Sequence, residues 1–196
     1  MSILSSTNTG QQHINELLKM HGLNPDRAML NADGSMDYNG DVIWSGKNLS
    51  QIPLKFNRVH GDFDVSHNSL ISLDNSPKVV DGNFRCIKNK LISLKGGPEE
   101  VWRDYDCAYN YSLRSLEGSP AYVGGAFSCN LCCLSSLEGG PKQVDGIYIC
   151  SSNFLLDLNG LPEDFDCYKL KCEFNFISAK ILNKINTNIY NLNQYN

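Results

Sequence analysis

The sequence predicts a solenoid: one curved stack of short strand-and-turn coils, with a parallel sheet on one face, turns on the other and a short helix at each end. Three observations predict it. Side-chain types recur every 21 or 22 residues, each repeat alternates apolar and polar residues ahead of an asparagine, and each closes on a proline. A repeat of that length folds as one supersecondary unit that cannot bury its own apolar face, so it stacks on its neighbours.

The cysteines set the period. Cys86, Cys107, Cys129, Cys150 and Cys172 lie 21, 22, 21 and 22 residues apart, and Val65 stands 21 before the first. Three residues after each comes Asn68, Asn89, Asn110, Asn153 or Asn175, with Cys132 once in that position. Aliphatic residues follow at Leu70, Leu91, Leu113, Leu134, Leu155 and Ile177, then at Leu73, Leu94, Leu116, Leu137 and Leu158. Pro77, Pro98, Pro120, Pro141 and Pro162 close the units.

Ahead of each asparagine the chain reads as Val80-x-Gly82-x-Phe84-x-Cys86 or Val123-x-Gly125-x-Phe127-x-Cys129. Period-two alternation marks a half-buried strand, here with Val, Phe and Cys inward. The asparagine column falls where the chain leaves the sheet, and a buried amide there can satisfy backbone groups that the bend strands. Gly-x-Pro closures such as Gly96-Gly97-Pro98 turn the chain on the far side. No coil has room for a full helix. Irregular coils are expected where Tyr111 is inserted, where Trp102-Arg103 replaces Asp-Gly, and between Phe165 and Cys172.

The run Asn-x-Leu-x-Ser-Leu-x-Gly-x-Pro-x-x-Val-x-Gly-x-Phe-x-Cys resembles the leucine-rich-repeat proteins of large tailed bacteriophages and bacteria. The segment from Asn31 to Leu49 is similar to the opening segment of that family, and together the two cover about residues 30 to 178. The resemblance implies a leucine-rich-repeat solenoid and, in general terms, a binding role. A phage or bacterial protein that binds and inhibits or recruits a host protein, with counter-defence as one such role, is what that context implies.

The ends of a stack expose core unless covered. In residues 11–20, Ile14, Leu17 and Leu18 share a helical face, and Gly22 follows as a helix-terminating glycine. At the other end Ile177, Ile181, Leu182, Ile185 and Ile189 keep helical spacing after Ser178, a candidate N-cap. The expected parts are therefore a helical cap over 1–30, a solenoid of six to seven coils over 31–176 and a helical cap over 177–196. Residues 1–8 and 193–196 are expected to be loosely ordered.

Charge is nearly balanced, 17 Lys and Arg against 21 Asp and Glu, which offers no electrostatic footprint for nucleic acid or an anionic membrane. No stretch reaches the ~18 apolar residues of a membrane span, and the start lacks a secretory pattern. A cytoplasmic protein is expected, with its 8 cysteines reduced and packed. Cys129, Cys132, Cys133 and Cys150 superficially resemble thiolate zinc spacing, yet all but Cys133 already have repeat positions, so neither a metal nor another cofactor is expected. His13, His21, His60 and His67 form no nucleophile pattern with a cysteine, and no phosphate-binding glycine motif is present, so no enzyme is expected.

Alternation assigns the outward face: Val42 and Trp44, then His60, Asp62, Asp64 and Ser66, then Asp81, Asn83, Arg85 and Ile87. Trp102, Asp104, Asp106 and Ala108 follow, then Ala126, Ser128 and Asn130, and finally Asp145, Ile147, Ile149 and Ser151. Aspartates around exposed tryptophans suit a basic protein surface. The expected partner-binding residues are Trp44, Asp62, Asp64, Arg85, Trp102, Asp104, Asp106 and Ile147, with Tyr109 and Tyr111 extending the patch. A protein partner is expected, with the chain a monomer or weak homo-oligomer. A self-assembling structural solenoid is the rival, and a nucleic-acid binder or enzyme ranks third.

Overall fold

The computed structural model describes residues 3–162, 165 and 169–184. The chain winds into a parallel β-solenoid of about six turns. Every 21- or 22-residue repeat stacks in register on the next: Val59, Val80, Val101, Val123 and Val144 pair in one column, and Phe63, Phe84, Tyr105, Phe127 and Tyr148 in another.

These two columns belong to different sheets of seven strands each, which corrects the expectation of a single sheet facing turns. Val79–Val80 lies in the first sheet and Phe84–Arg85 in the second, with a corner at Asp81-Gly82-Asn83 between them. Glycine makes the corner. A Cβ on Gly82 would stand 2.6 Å from the carbonyl of Gly61 one coil earlier, and one on Gly146 would stand 2.5 Å from that of Gly125. Alternation continues through the bend, so the sequence pattern of one long strand and of two short ones is the same.

Side chains take over the corner hydrogen bonds. Asp41 accepts from the amide of Asp62 (2.8 Å), Asp62 from that of Asn83 (2.8 Å), Asn83 from that of Asp104 (3.2 Å) and Asp104 from that of Ala126 (2.8 Å). Four coils thus satisfy the donor that the bend removes from the ladder. The pairing stays regular through the coil carrying Trp102-Arg103, where distortion was expected. The register shift lies instead in the first coil, between Met36 and Asp37.

The interior is a set of stacked columns. Phe63, Phe84, Tyr105 and Phe127 stack with ring centroids 5.0 to 5.5 Å apart. Beside them runs the column Val65, Cys86, Cys107, Cys129, Cys150 and Cys172, all buried, with Cys86, Cys107, Cys129 and Cys150 as free thiols. Burial pushes the thiols of Cys86, Cys107, Cys129 and Cys150 far above the ordinary range, which keeps them protonated and unreactive. Full burial of each large apolar side chain contributes about 1.5–3 kcal/mol.

The asparagine ladder forms as expected. Asn110, fully buried, donates through Nδ2 to the carbonyls of Cys86 (3.0 Å) and Cys107 (2.9 Å) and accepts at Oδ1 from the amides of Asn89 and Leu91. Asn68, Asn89, Asn153 and Asn175 donate in the same way to two successive coils. Cys132 puts a thiol there, with Sγ 3.5 Å from the Cys107 carbonyl. Immediately before each ladder position the backbone is left-handed: His67, Lys88, Tyr109, Leu131, Ser152 and Phe174 have φ between 52° and 61°. That conformation swings the next amide inward and the preceding side chain out.

At the N-terminal end helix α1 spans Ile3–Met20, starting before the expected residue 11 and running through residues expected to be loose. It ends in a Schellman arrangement, Leu23 N to Leu18 O (2.8 Å) and Gly22 N to Lys19 O (3.0 Å), with Gly22 at φ 76°. Leu18 is fully buried in the core, with Ile14 and Leu17 packed against it. A hairpin that the sequence did not announce, Ala28–Leu30 with Met36–Tyr38, covers the first edge of the first sheet. At the C-terminal end helix α2 spans Ala179–Lys184, with the Ser178 carbonyl accepting from Ile181 and Leu182. Ile185, Ile189 and residues 193–196 lie outside the described residues.

Candidate functional site

The corner between the two sheets is a ridge running the length of the stack. Its crest reads His60, Asp81, Trp102, Gly124 and Asp145, fixed in one column by amide bonds to Tyr38, Val59, Val80, Val101 and Val123. On the first-sheet side the outward column is Arg58, Val79, Glu100, Tyr122 and Gln143, and on the second-sheet side it is Asp62, Asn83, Asp104, Ala126 and Ile147.

The eight expected binding residues divide on this frame. Trp44 does not belong to the surface: it is 2% exposed, its indole Nε1 donates to the His21 carbonyl (2.8 Å), and its ring packs on Phe56 and Phe63. Val42 pairs with Phe63 and is buried too. The first coil lies one residue out of the expected register, which exchanges every inward and outward side chain. Its outward residues are Asp41, Ile43 and Ser45.

Asp64 and Asp106 face outward but bend back to the amides of Ser66 (2.8 Å) and Ala108 (2.9 Å), closing the turn at the end of the strand. Burial pushes the Asp106 carboxyl above its ordinary range, despite the bonds from Ala108 and Ser128. Asp62 holds the corner amide and side chain of Asn83 and pairs with Arg85 (2.9 Å). Burial raises its pKa, and the bonds from Asn83 and Arg85 outweigh that and hold it below the ordinary carboxylate range. These residues are committed to the fold. Ser66, Ala108 and Ser128, also read as outward, are buried.

Trp102, Asp104 and Ile147 remain as surface, although Asp104 also holds the corner amide of Ala126 through one carboxylate oxygen. Trp102 is 54% exposed and meets Tyr122 at 74°, with centroids 5.9 Å apart. Tyr122 Oη donates to Asp145 (2.8 Å), to which Gln143 Nε2 also donates (2.8 Å). A Cβ on Gly124 would lie 3.1 Å from the Tyr122 hydroxyl, so the missing side chain lets the phenol lie across the crest. Toward the N-terminal end Asp81 is bridged by Arg58 (2.7 Å) and His60 (2.8 Å). Tyr109 and Tyr111 pair with each other at the far end of the second sheet, away from this cluster.

Alternation puts the start of the strand at the valine column and so does not point to Tyr122, Glu100 and Arg58. The residue one step before each valine is the outward column of a sheet the alternation did not reveal.

Among the described residues, no group of three or more His, Cys, Asp or Glu is placed to hold a metal ion, and no helix is long and apolar enough to cross a membrane. Cys129 and Cys150 belong to the thiol column and Cys132 to the asparagine ladder. No family model matches the sequence, no curated protein matches it, and no solved structure matches the fold.

Proposed function

We propose that this chain is a non-catalytic protein-interaction module that grips a partner with a basic surface along the corner ridge, centred on Trp102 and Asp104. The observation that carries this reading is the exposed Trp102 with the half-buried Tyr122 against it, set among carboxylates on an otherwise polar crest. Exposed tryptophan is a favoured hot-spot residue, and acidic surroundings steer a basic partner onto it. In the same reading α1 and α2 are the end caps of a leucine-rich-repeat solenoid. The resemblance of the repeat to phage and bacterial leucine-rich-repeat proteins supports a host protein as the partner, inhibited or recruited in the host cytoplasm.

A photo-crosslinking residue at position 102, compared with one at the exposed Glu138, tests the ridge in cells. Discrete adducts at 102 and none at 138 are expected. Equal labelling at both positions, or none at either, overturns the ridge as the binding surface.

A second reading, self-association, is favoured by one observation. Phe154, Leu156, Phe174 and Phe176 in the last coils are 52–78% exposed, and Phe154 stacks on Phe176. Light scattering across a concentration series decides it: a constant monomer mass at high concentration removes it.

A further inference from the structure

The carboxylates of the ridge are of two kinds. Asp81 is paired with Arg58 and hydrogen-bonded with His60, and Asp145 receives Tyr122 and Gln143. Glu99, Glu100 and Asp104 flank Trp102 without an ion pair among the described residues; the neighbouring cations are Arg103, next in sequence, and Lys78, stacked beside Glu99 one coil earlier. Carboxylates thus outnumber cations three to two around the two aromatic rings.

The rings themselves are arranged to take a cation. They stand nearly perpendicular, so at least one π-face of each is unused by the other. Tyr122 is fixed from beyond by Asp145, and Gly124 gives it room to lie down. Glu100 neighbours Tyr122 in the first sheet and Asp104 begins the second, so carboxylates border the pair on both flanks.

We propose that Trp102 and Tyr122, bordered by Glu100 and Asp104, form a seat for an arginine side chain of the partner. This rests on the binding reading above and names the chemistry that the site recognises. A guanidinium is planar and weakly hydrated, stacks on an indole, and carries forked donors that reach a carboxylate while the plane lies on the ring. An ammonium lacks the plane, and a sugar would leave the unpaired carboxylates without a counter-charge. Asp145 is a positioning residue: it holds Tyr122 and does not touch the guest.

The test follows fluorescence of the full chain titrated with a short glycine peptide carrying one arginine, and with the same peptide carrying citrulline or lysine. Citrulline keeps the shape and removes the charge. The arginine peptide is expected to perturb the exposed indole saturably and to bind ~3- to 10-fold tighter than the citrulline peptide. Glu100→Gln is expected to weaken it, Asp145→Asn to weaken it with a change in Tyr122 environment, and Arg103→Ala to tighten it. Equal binding of arginine and citrulline peptides, weakening by Arg103→Ala, or saturable binding of a neutral oligosaccharide in place of the arginine peptide overturns the seat. Crosslinking at position 102 without arginine selectivity sinks the seat alone, and selectivity without crosslinking sinks the partner reading alone.

Discussion

Along the asparagine ladder, Asn68, Asn89, Asn110, Asn153 and Asn175 repeat one side chain with a single exception, whereas the ridge crest carries four residue types in five positions, His60, Asp81, Trp102, Gly124 and Asp145. Both columns are stacked at the same strand spacing. The difference is what the backbone asks of each. Inside, the amide of the asparagine is bound by two coils at once, so a substitution removes hydrogen bonds from both. On the crest the corner is held by its neighbours: a glycine follows His60, Asp81, Gly124 and Asp145, and an Asx residue stands two after His60, Asp81 and Trp102. The crest side chain is therefore free to vary at His60, Asp81, Trp102 and Asp145, whereas a Cβ on Gly124 would collide with the Trp102 carbonyl.

Breaking the interior column gives the largest expected effect. Asn110→Ala orphans the amides of Asn89 and Leu91 and strips one donor each from the Cys86 and Cys107 carbonyls, which keep Asn89 Nδ2 and the Cys132 thiol, and is expected to cost about 3 kcal/mol in urea unfolding. A neutral result would mean that the ladder is not what joins the coils. Gly82→Ala attacks the corner and is expected to cost about 2 kcal/mol by overpacking against Gly61. Cys132→Asn should work in the opposite sense, repairing the ladder for a gain of about 1 kcal/mol, read as a thermal shift of about 2–4 °C. Loss of stability there would show that the thiol is preferred for its volume.

The smallest effects lie on the outward faces. The Asp106 carboxyl has a folded pKa above its unfolded value, so the native state binds the proton more tightly and gains stability as pH falls through the folded value. Asp106→Asn keeps the bond from Ala108 and is expected to stabilise by under about 1 kcal/mol at neutral pH, with the advantage vanishing near pH ~4. Asp62 and Asp81 are depressed, so their contribution is present above the ordinary carboxylate range and lost as pH falls below it. An advantage of Asp106→Asn that persists in acid would exclude this account. Trp102→Ala is expected to change stability by no more than about 0.5 kcal/mol, which would separate its role from that of the buried Trp44.

The interior was legible in the sequence because stacking forces one residue type to recur: the thiol column, the aromatic column and the ladder all follow from Val65, Cys86 and Asn89 counted forward. The second sheet was not legible, because inward and outward residues alternate identically through a bend and a straight strand. Trp44 shows a different failure. It stands 21 residues before Val65, so the period placed it inside, but an isolated tryptophan at a position filled elsewhere by valine and cysteine was read as surface. Among the expected binding residues, the sequence could reveal direction but not obligation. That Asp62 and Asp106 are bound to amides depends on a corner and a strand end that only coordinates place.

The thiol column also governs how this protein ages. Its sulfurs are shielded as long as the coils stay shut, so an oxidant has to wait for the chain to open. Once open, the same sulfurs become exchangeable partners separated by whole repeats, and wrong pairings would lock the chain away from its native winding. Working lifetime under oxidising conditions should then follow the unfolding rate, and recovery from denaturant should depend on a reductant.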